Sequence, residues 1–216
     1  MESFPATEGP FIVLSLVHVI KDNARYLSEL DGAIGDGDHG VNMAKGFALA
    51  ATRVGETTDL AGGLRVVGET LLTDIGGAMG PLYGTFFVEM AREAQVPEID
   101  ARTFAAMLDA ALAGVVDVGG TQVGDKTLVD TLTPACDAFR EATAAGLGFR
   151  VALQRMVAGA ERGRDSTRAL VARVGRASRL GERSRGSVDP GAASCALILA
   201  SMATAITACL DDSSDP

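Results

Sequence analysis

Residues 30–40 read Leu-Asp-Gly-Ala-Ile-Gly-Asp-Gly-Asp-His-Gly and place three carboxylates and an imidazole among four glycines. No basic residue within the segment neutralises them. Carboxylates this close together repel one another, and a hard divalent cation with oxygen ligands keeps them ionised. The glycines let the backbone bend so that Asp31, Asp36 and Asp38 can converge. The segment therefore predicts a metal site, with a solvated acidic turn as the alternative.

Magnesium fits this segment better than calcium. An EF-hand loop requires Glu at its twelfth position, but counting from Asp31 gives Asn42 and counting from Asp36 gives Phe47. A few carboxylates without a full protein cage suit magnesium, which keeps waters and takes its remaining oxygens from substrate phosphates. A magnesium site of this kind indicates a phosphate-containing ligand.

Composition limits the fold and the partners. The chain has 216 residues, 47% of them apolar, which predicts one domain over residues 1–216. Its net charge of −9 argues against a nucleic-acid or anionic-membrane partner. The longest apolar run, Phe11–Ile20, is about half of what a bilayer crossing requires, and no charged leader precedes it. We therefore expect a soluble, cytoplasmic protein, with Cys136, Cys195 and Cys209 as buried free thiols.

The spacing of apolar residues is helical throughout, which predicts an all-α domain without strands. Asp59 and Asp100 are N-cap candidates, and Pro81 and Pro190 lie near helix starts. Only the short ends, residues 1–10 and 211–216, are expected to be disordered. The predicted helices span residues 11–28, 42–53, 59–74, 80–94, 101–117, 126–144, 149–172 and 190–210.

Glycines concentrate in four predicted loops, residues 31–40, 76–80, 119–124 and 175–191, which are the expected functional segments. Loop 76–80 precedes a helix whose free N–H groups suit an anion, although a plain connection is equally compatible. Residues 119–127 resemble a P-loop only superficially, because Asp125 interrupts the required Gly-Lys-Thr. Asp125 and Thr127 are helix-cap candidates, and Lys126 is a candidate charge near a nucleotide.

Residues 175–186, which we call the lid, contain four of the chain's 19 basic residues. Arginine forks suit phosphate oxygens, and mobile glycine-flanked loops commonly close over ligands; a solvated Arg-rich turn is the alternative. Asp189 follows the lid and either caps the helix started by Pro190 or holds a ribose or the lid. The lid arginines are Arg176, Arg179, Arg183 and Arg185.

Four blocks, residues 30–47, 76–87, 124–135 and 175–194, resemble in order and spacing the L subunit of dihydroxyacetone kinase, the DhaL or Dak2 nucleotide-binding family. The resemblance implies an eight-helix, up-and-down antiparallel barrel with the nucleotide at one end. It also implies that Asp31, Asp36 and Asp38 bind two magnesium ions. With Arg176, which would reach the phosphates from the lid, these aspartates form the implied catalytic set.

By the same resemblance, further residues contact the nucleotide, which is ADP or ATP. They fall into four groups: residues 39–42, residues 78–79 near the start of the predicted helix 80–94, two residues at the adenine pocket, and the turn after the lid. In sequence order these are His39, Gly40, Val41, Asn42, Ala78, Met79, Gly119, Leu128, Asp189, Pro190 and Gly191, together with Arg176.

The resemblance implies a phosphotransferase subunit of a dihydroxyacetone (glycerone) kinase. Phosphate would pass from the magnesium nucleotide to dihydroxyacetone held on a separate K subunit, and a phosphoryl-carrier M subunit of the phosphoenolpyruvate phosphotransferase system would rephosphorylate ADP in place. A homodimer is a further expectation. Two alternatives stay open: a split ATP-dependent ketose or tetrose kinase with exchangeable nucleotide, and a nucleotide-sensing partner of a transcriptional regulator.

The lid departs from the family pattern. Many relatives have an aromatic residue where Arg179 stands, and Ile-Gly-His-Gln where this chain has Arg185-Gly186-Ser187-Val188. Because the outer face of the lid would contact the partner subunit, the partner or the sugar is expected to differ more than the nucleotide.

Overall fold

The structure is a computed structural model that describes residues 2–55, 57 and 59–212, with side chains described up to residue 210. The all-α prediction is confirmed, although two short strands, β1 (Ser3–Pro5) and β2 (Glu98–Asp100), accompany the helices. The α-helices of the described residues are α1 (Gly9–Asp22), α2 (Ala24–Ile34), α3 (His39–Val54), α4 (Leu60–Asp74), α5 (Met79–Glu93), α6 (Ala101–Gly119), α7 (Val129–Ala144), α8 (Phe149–Ser166) and α9 (Pro190–Asp212).

Eight of these helices, all except α2, contact one another in a closed cycle. Each helix from α3 to α9 packs against the next along the chain, and α1 closes the ring between α9 and α3. Sequential neighbours joined by short connections are what an up-and-down barrel requires. The short helix α2 packs against α3, α9 and the lid. The ring is therefore consistent with the expected eight-helix barrel.

The prediction of one helix over residues 11–28 is wrong. The side-chain amide of Asn23 donates to the carbonyl of Val19 at 2.8 Å, and α1 ends at Asp22. A second helix, α2, then runs to Ile34. Asp31 consequently lies in the last turn of a helix rather than in a glycine-rich loop.

The prediction of a disordered N-terminus is also wrong. β1 pairs antiparallel with β2, with Phe4 opposite Ile99. Phe4 is fully buried and stacks on Phe149 with 6.4 Å between ring centroids. Burial of this ring offsets the entropy cost of ordering the segment. At the other end α9 extends to Asp212, and residues 213–216 lie outside the described residues.

Helices begin where the sequence predicts when the capping side chain bonds to an N–H group only a few residues away. Asp59 accepts a hydrogen bond from the Gly62 N–H at 2.7 Å, and Asp100 accepts one from the Thr103 N–H at 2.8 Å, so both predicted N-caps are confirmed. α3 begins at His39 instead of residue 42, α7 at Val129 instead of 126, and α8 ends at Ser166 instead of 172. The first two of these shifts occur beside the cleft described below.

The last helix is long and apolar enough, over Pro190–Leu210, to cross a membrane by composition alone, but 67% of its most apolar window is buried inside the molecule. Contacts with α1, α7 and α8 surround it, which explains the apolar sequence as that of a core helix. All three cysteines are buried, and none forms a disulfide among the described residues.

Candidate functional site

One end of the barrel opens into a cleft of about 1040 Å³. The ends of α2 and α6, the starts of α3, α5 and α9, and the loops before α5 and α7 line it, together with the start of the lid. All predicted site residues line this cleft except Gly40 and Val41. The lining residues among them are Asp31, Asp36, Asp38, His39, Asn42, Ala78, Met79, Gly119, Leu128, Arg176, Asp189, Pro190 and Gly191.

The three aspartates converge as predicted. Each offers a carboxylate oxygen, and these oxygens lie within 4.8 Å of one another. Gly35 makes the approach possible, because a Cβ at that position would lie 2.3 Å from Oδ1 of Asp31. The N–H of His39 donates to Oδ2 of Asp31 at 3.2 Å and fixes that carboxylate relative to the start of α3. We call Asp31, Asp36 and Asp38 the acidic cluster.

The lid supplies a cation to the acidic cluster. Arg176 forms an ion pair with Asp36, and its guanidinium lies 3.5 Å from Oδ2 of Asp38. Three carboxylates and one guanidinium still carry a formal charge of −2, and about half of each side chain in these ion pairs is exposed. The remaining charge, the oxygen ligands and the solvent access fit a divalent cation that keeps some of its waters.

Gly40 and Val41 lie outside the lining of the cleft. A Cβ on Gly40 would lie 1.8 Å from the carbonyl oxygen of Ala24, so Gly40 allows α2 and α3 to pack closely. The Val41 side chain points to solvent and the residue is 63% exposed. Their assignment as nucleotide contacts stays a prediction.

A hydrogen-bonded chain of buried groups connects the acidic segment to the turn after the lid. Nε2 of His39 lies 2.9 Å from Oγ of Ser194, and the Tyr83 hydroxyl lies 2.6 Å from the same Oγ. Tyr83 also donates to the carbonyl of Gly191 at 2.9 Å. The chain joins α3, α5 and α9, so it sets the distance between two predicted nucleotide-binding segments.

Burial controls the protonation of His39 and Tyr83 in this hydrogen-bonded network. It lowers the pKa of His39 to about 4, against the opposing charge of Asp31, so the ring is neutral at neutral pH. It also raises the pKa of Tyr83 well above the usual range of a phenol, so the hydroxyl keeps its proton. The chain therefore consists of neutral donors and acceptors and acts by positioning.

Asp189 caps α9. Its Oδ2 accepts from the N–H of Ala192 at 2.7 Å, which is the capping role considered from the sequence. Burial of the carboxyl raises its pKa to about 7, although other atoms of the residue remain partly exposed. The cap directs the turn of Pro190 and Gly191 into the cleft.

The loop before α7 differs from its prediction. The Asp125 carboxylate accepts from the N–H of Gln122 at 3.0 Å and so does not cap α7. Thr127 does act at the helix start, because its Oγ1 accepts from the N–H of Val129 at 3.1 Å. Lys126 lies among the lining residues of the cleft, and its ammonium donates to two main-chain carbonyls. Its prediction as a charge for the nucleotide receives no support from this arrangement.

Sequence reasoning did not identify Tyr83, Ser194 or Asp130. Asp130 is buried and accepts from the N–H groups of Gly124 and Thr127 at 2.6 and 2.7 Å. The only available signal was position: Tyr83 and Asp130 occur inside two of the four quoted blocks, and Ser194 ends the last of them. Their partners are apparent only in three dimensions.

Replacing Tyr83 by Phe is expected to lower the free energy of unfolding by about 1 kcal/mol, because a buried hydroxyl with two partners is removed. Urea unfolding followed by circular dichroism measures the change. Tyr26→Phe is the matched control, since Tyr26 is the only other tyrosine and is 42% exposed. Equal losses in the two variants would contradict the positioning role of the chain.

Comparison with known proteins identifies a matching domain and similar proteins. The DAK2 domain matches residues 33–204. The ADP-binding subunit DhaL of PEP-dependent dihydroxyacetone kinase 1 from Listeria innocua is 38% identical over 185 residues, covering 85% of this chain and 88% of that protein. The ADP-binding subunit DhaL of the PTS-dependent dihydroxyacetone kinase from Lactococcus lactis is 38% identical over 184 residues, covering 83% and 86%.

A solved structure shares the fold. The dihydroxyacetone kinase of C. freundii, crystallised with AMP-PNP and Mg²⁺, matches with a TM-score of 0.67 at 24% identity. The match covers 91% of this chain but 33% of that one, so the chain corresponds to about a third of the larger enzyme. At this identity the likeness concerns the fold alone.

Proposed function

Because this chain belongs to the DAK2 domain family, we propose that it is the ADP-binding phosphotransferase subunit of a dihydroxyacetone kinase. The observation that carries the proposal is the acidic cluster, with Arg176 of the lid placed directly on it at the mouth of a cleft. The relatives from Listeria innocua and Lactococcus lactis are ADP-binding subunits of PEP- or PTS-dependent dihydroxyacetone kinases. Their similarity extends over most of this chain, which supports a function of that kind.

The acidic cluster would hold two magnesium ions. Bound there, magnesium supplies neutralisation of the phosphate oxygens and alignment of the terminal phosphoryl group. The chain itself contributes the three carboxylates, the Gly35 bend that lets them converge and the His39 N–H that orients Asp31. None of these groups needs to transfer a proton, because phosphoryl transfer through a loose transition state depends mainly on alignment and charge.

The nucleotide would occupy the remainder of the cleft. We assign Asn42 and the His39 segment to the phosphates, together with the main chain at the start of α5. Gly119 and Leu128 would border the adenine. The other assigned contacts are Gly40, Val41, Ala78, Met79, Asp189, Pro190 and Gly191.

The sugar would be held by a separate K subunit. The chain has two histidines, of which His39 is bonded to Ser194 in the cleft and His18 is exposed on α1. The relatives from Listeria innocua and Lactococcus lactis are ADP-binding subunits of dihydroxyacetone kinases, which supports a division of labour in which another subunit holds the sugar. A phosphoryl-carrier M subunit would recharge ADP in place, in keeping with the PEP- and PTS-dependence of those relatives. We also propose one domain, a cytoplasmic location and a homodimer, as expected from the sequence.

Reconstitution tests this function. The purified chain with ATP, Mg²⁺ and dihydroxyacetone is expected to form no sugar phosphate, and activity should appear when a K subunit is added. If many turnovers then need phosphoenolpyruvate and the carrier, ADP is a resident coenzyme; if ATP suffices, the nucleotide exchanges. Erythrulose in place of dihydroxyacetone tests the sugar. Phosphorylation of either sugar by this chain alone would contradict the proposal.

A further inference from the structure

Lys126 has an unusual backbone conformation. Among the described residues it is the one non-glycine residue with a positive φ, +65°, a region that L-amino acids with long side chains rarely adopt. It is also 2% exposed, whereas Lys21 and Lys45, the other two lysines of the chain, are exposed. A buried charge in a strained conformation requires a structural reason.

The surrounding loop enforces this conformation. Both oxygens of the buried Asp130 carboxylate accept main-chain N–H groups, from Gly124 at 2.6 Å and from Thr127 at 2.7 Å. Lys126 lies in the sequence between the two donor residues, Gly124 and Thr127, so the two bonds constrain the backbone on either side of it. The loop therefore directs the lysine side chain inward, under the base of the lid.

The ammonium bonds to the chain on both sides of the lid. It donates to the carbonyl of Thr167, at the end of α8, and to the carbonyl of Ser187, just after the lid, at 2.5 Å each. The polypeptide thus leaves the barrel after Thr167 and returns to it at Ser187, and the buried ammonium of Lys126 bonds to both points. An ammonium whose hydrogen bonds go only to neutral carbonyls is unusual. The charges of Asp189 and Asp130 also stabilise the charged form of Lys126, whereas burial lowers its pKa.

Two further hydrogen bonds join the segments on either side of the lid. The N–H of Gly186 donates to the carbonyl of Arg168 at 2.9 Å, and the N–H of Asp189 donates to Oγ1 of Thr167 at 3.0 Å. Arg176, which pairs with the acidic cluster, lies within the excursion that these bonds close. The turn of Asp189 to Gly191 follows it directly. The place where these bonds join the two ends of the lid therefore sets the positions of Arg176 and of the following turn relative to the cleft.

We propose that Lys126 is a positioning residue that fixes the lid over the acidic cluster by joining the two ends of the lid excursion, and that it does not bind the nucleotide. The significance of the lid for a nucleotide rests on the proposed function; the joining of its ends does not. Two of the three ammonium protons are already donated to Thr167 and Ser187. A ligand phosphate would have to break these bonds to take them.

Amine acetylation of the wild-type protein tests the assignment without any substitution. A short pulse of sulfo-NHS-acetate, analysed by mass spectrometry, should modify Lys21 and Lys45 at least tenfold faster than Lys126. The protection of Lys126 should be the same with and without Mg-ADP. Reaction of Lys126 at the rate of the exposed lysines in the absence of nucleotide, with protection only on adding Mg-ADP, would make it a nucleotide ligand and overturn the proposal.

Limited trypsin digestion tests the consequence for the lid. In Lys126→Met, cleavage after Arg176, Arg179 and Arg183 should accelerate about tenfold or more, while cleavage outside residues 168–187 stays unchanged. Lys45→Met is the matched control: apart from the tryptic site lost at residue 45, its lid should be cleaved at the wild-type rate. Wild-type lid cleavage in a folded Lys126→Met protein would refute the proposal. If the variant does not fold, the acetylation result still decides.

The two tests also separate this proposal from the proposed function. If calorimetry finds no Mg-ADP binding to the wild-type protein, the function fails, yet acetylation without nucleotide and trypsin cleavage still report on Lys126. If Mg-ADP binds but Lys126 reacts freely, the function stands and the positioning role fails.

Discussion

Replacing Asp36 or Asp38 by alanine is expected to abolish measurable binding of Mg-ADP, a loss of more than about 100-fold, since even residues that merely orient a metal ligand contribute about 10–100-fold. The three carboxylate oxygens lie within 4.8 Å of one another and constitute the whole acidic cluster of the cleft. Losing one removes a ligand and brings the phosphates close to the two that remain. Titration calorimetry with ADP and Mg²⁺ measures the loss.

The melting temperature separates ligand loss from damage to the fold. A ligand that binds only the folded state at 100 times its Kd adds about 2.7 kcal/mol of stability. Mg-ADP should therefore raise the melting temperature of the wild-type protein, and a chelator should remove that increase. In Asp36→Ala and Asp38→Ala the increase should vanish while the unliganded protein melts no lower, because repulsion within the cluster is relieved.

Asp22→Ala is the matched control. Asp22 is exposed at the end of α1, so this variant loses the same charge outside the cleft. It should keep both the affinity and the rise in melting temperature. Near wild-type affinity in either cluster variant would show that the proposed ligands are wrong.

The sequence was informative where chemistry is local. Asp31, Asp36 and Asp38 are close in the chain, and glycine is the residue that lets such a segment fold back on itself, so their convergence could be predicted. Asp59 and Asp100 cap helices with N–H groups three residues away, again a local interaction. The helical class followed from periodicity.

The sequence was uninformative where partners are distant. His39 and Ser194 are 155 residues apart, and Tyr83 and Gly191 are 108 apart, so neither contact has a local signal. Phe4 orders the N-terminus only because Phe149 and strand β2 are present. A single polar residue, Asn23, divided a helix whose apolar spacing continues across it.

Lys126 shows what a motif leaves undetermined. A lysine after Gly-Asp in a glycine-rich loop is a reasonable charge for a phosphate. Its left-handed backbone is held by the Asp130 carboxylate, which bonds on either side of it, and its ammonium donates to the carbonyls of Thr167 and Ser187. The direction in which a side chain leaves the backbone depends on φ and ψ, which residue type alone does not determine.

Arg176→Ala is expected to reduce turnover of the reconstituted kinase by about 100-fold or more while weakening Mg-ADP binding less than about tenfold; arginines that stabilise phosphoryl-transfer charge contribute about 10³–10⁵-fold. The guanidinium forms ion pairs with Asp36 and Asp38. A divalent cation would be attracted to the same oxygens as Arg176, so a bound cation would compete with the guanidinium and leave it free to contact the phosphates. Removing it therefore costs little ground-state affinity but loses stabilisation of charge that develops during transfer.

Arg183→Ala is the control for this effect. It removes the same charge from the same lid, but Arg183 is exposed and no hydrogen bond or ion pair to the acidic cluster places it at the reacting phosphate. It should leave turnover at saturating partner unchanged and alter only the apparent affinity for the K subunit, as should Arg179→Ala. Steady-state kinetics at several K-subunit concentrations, with calorimetry of ADP binding, separate the two behaviours. If Arg176→Ala lost affinity and turnover in equal proportion, its contact with the acidic cluster would be a ground-state interaction, and stabilisation of the transition state would have to come from elsewhere in the cleft.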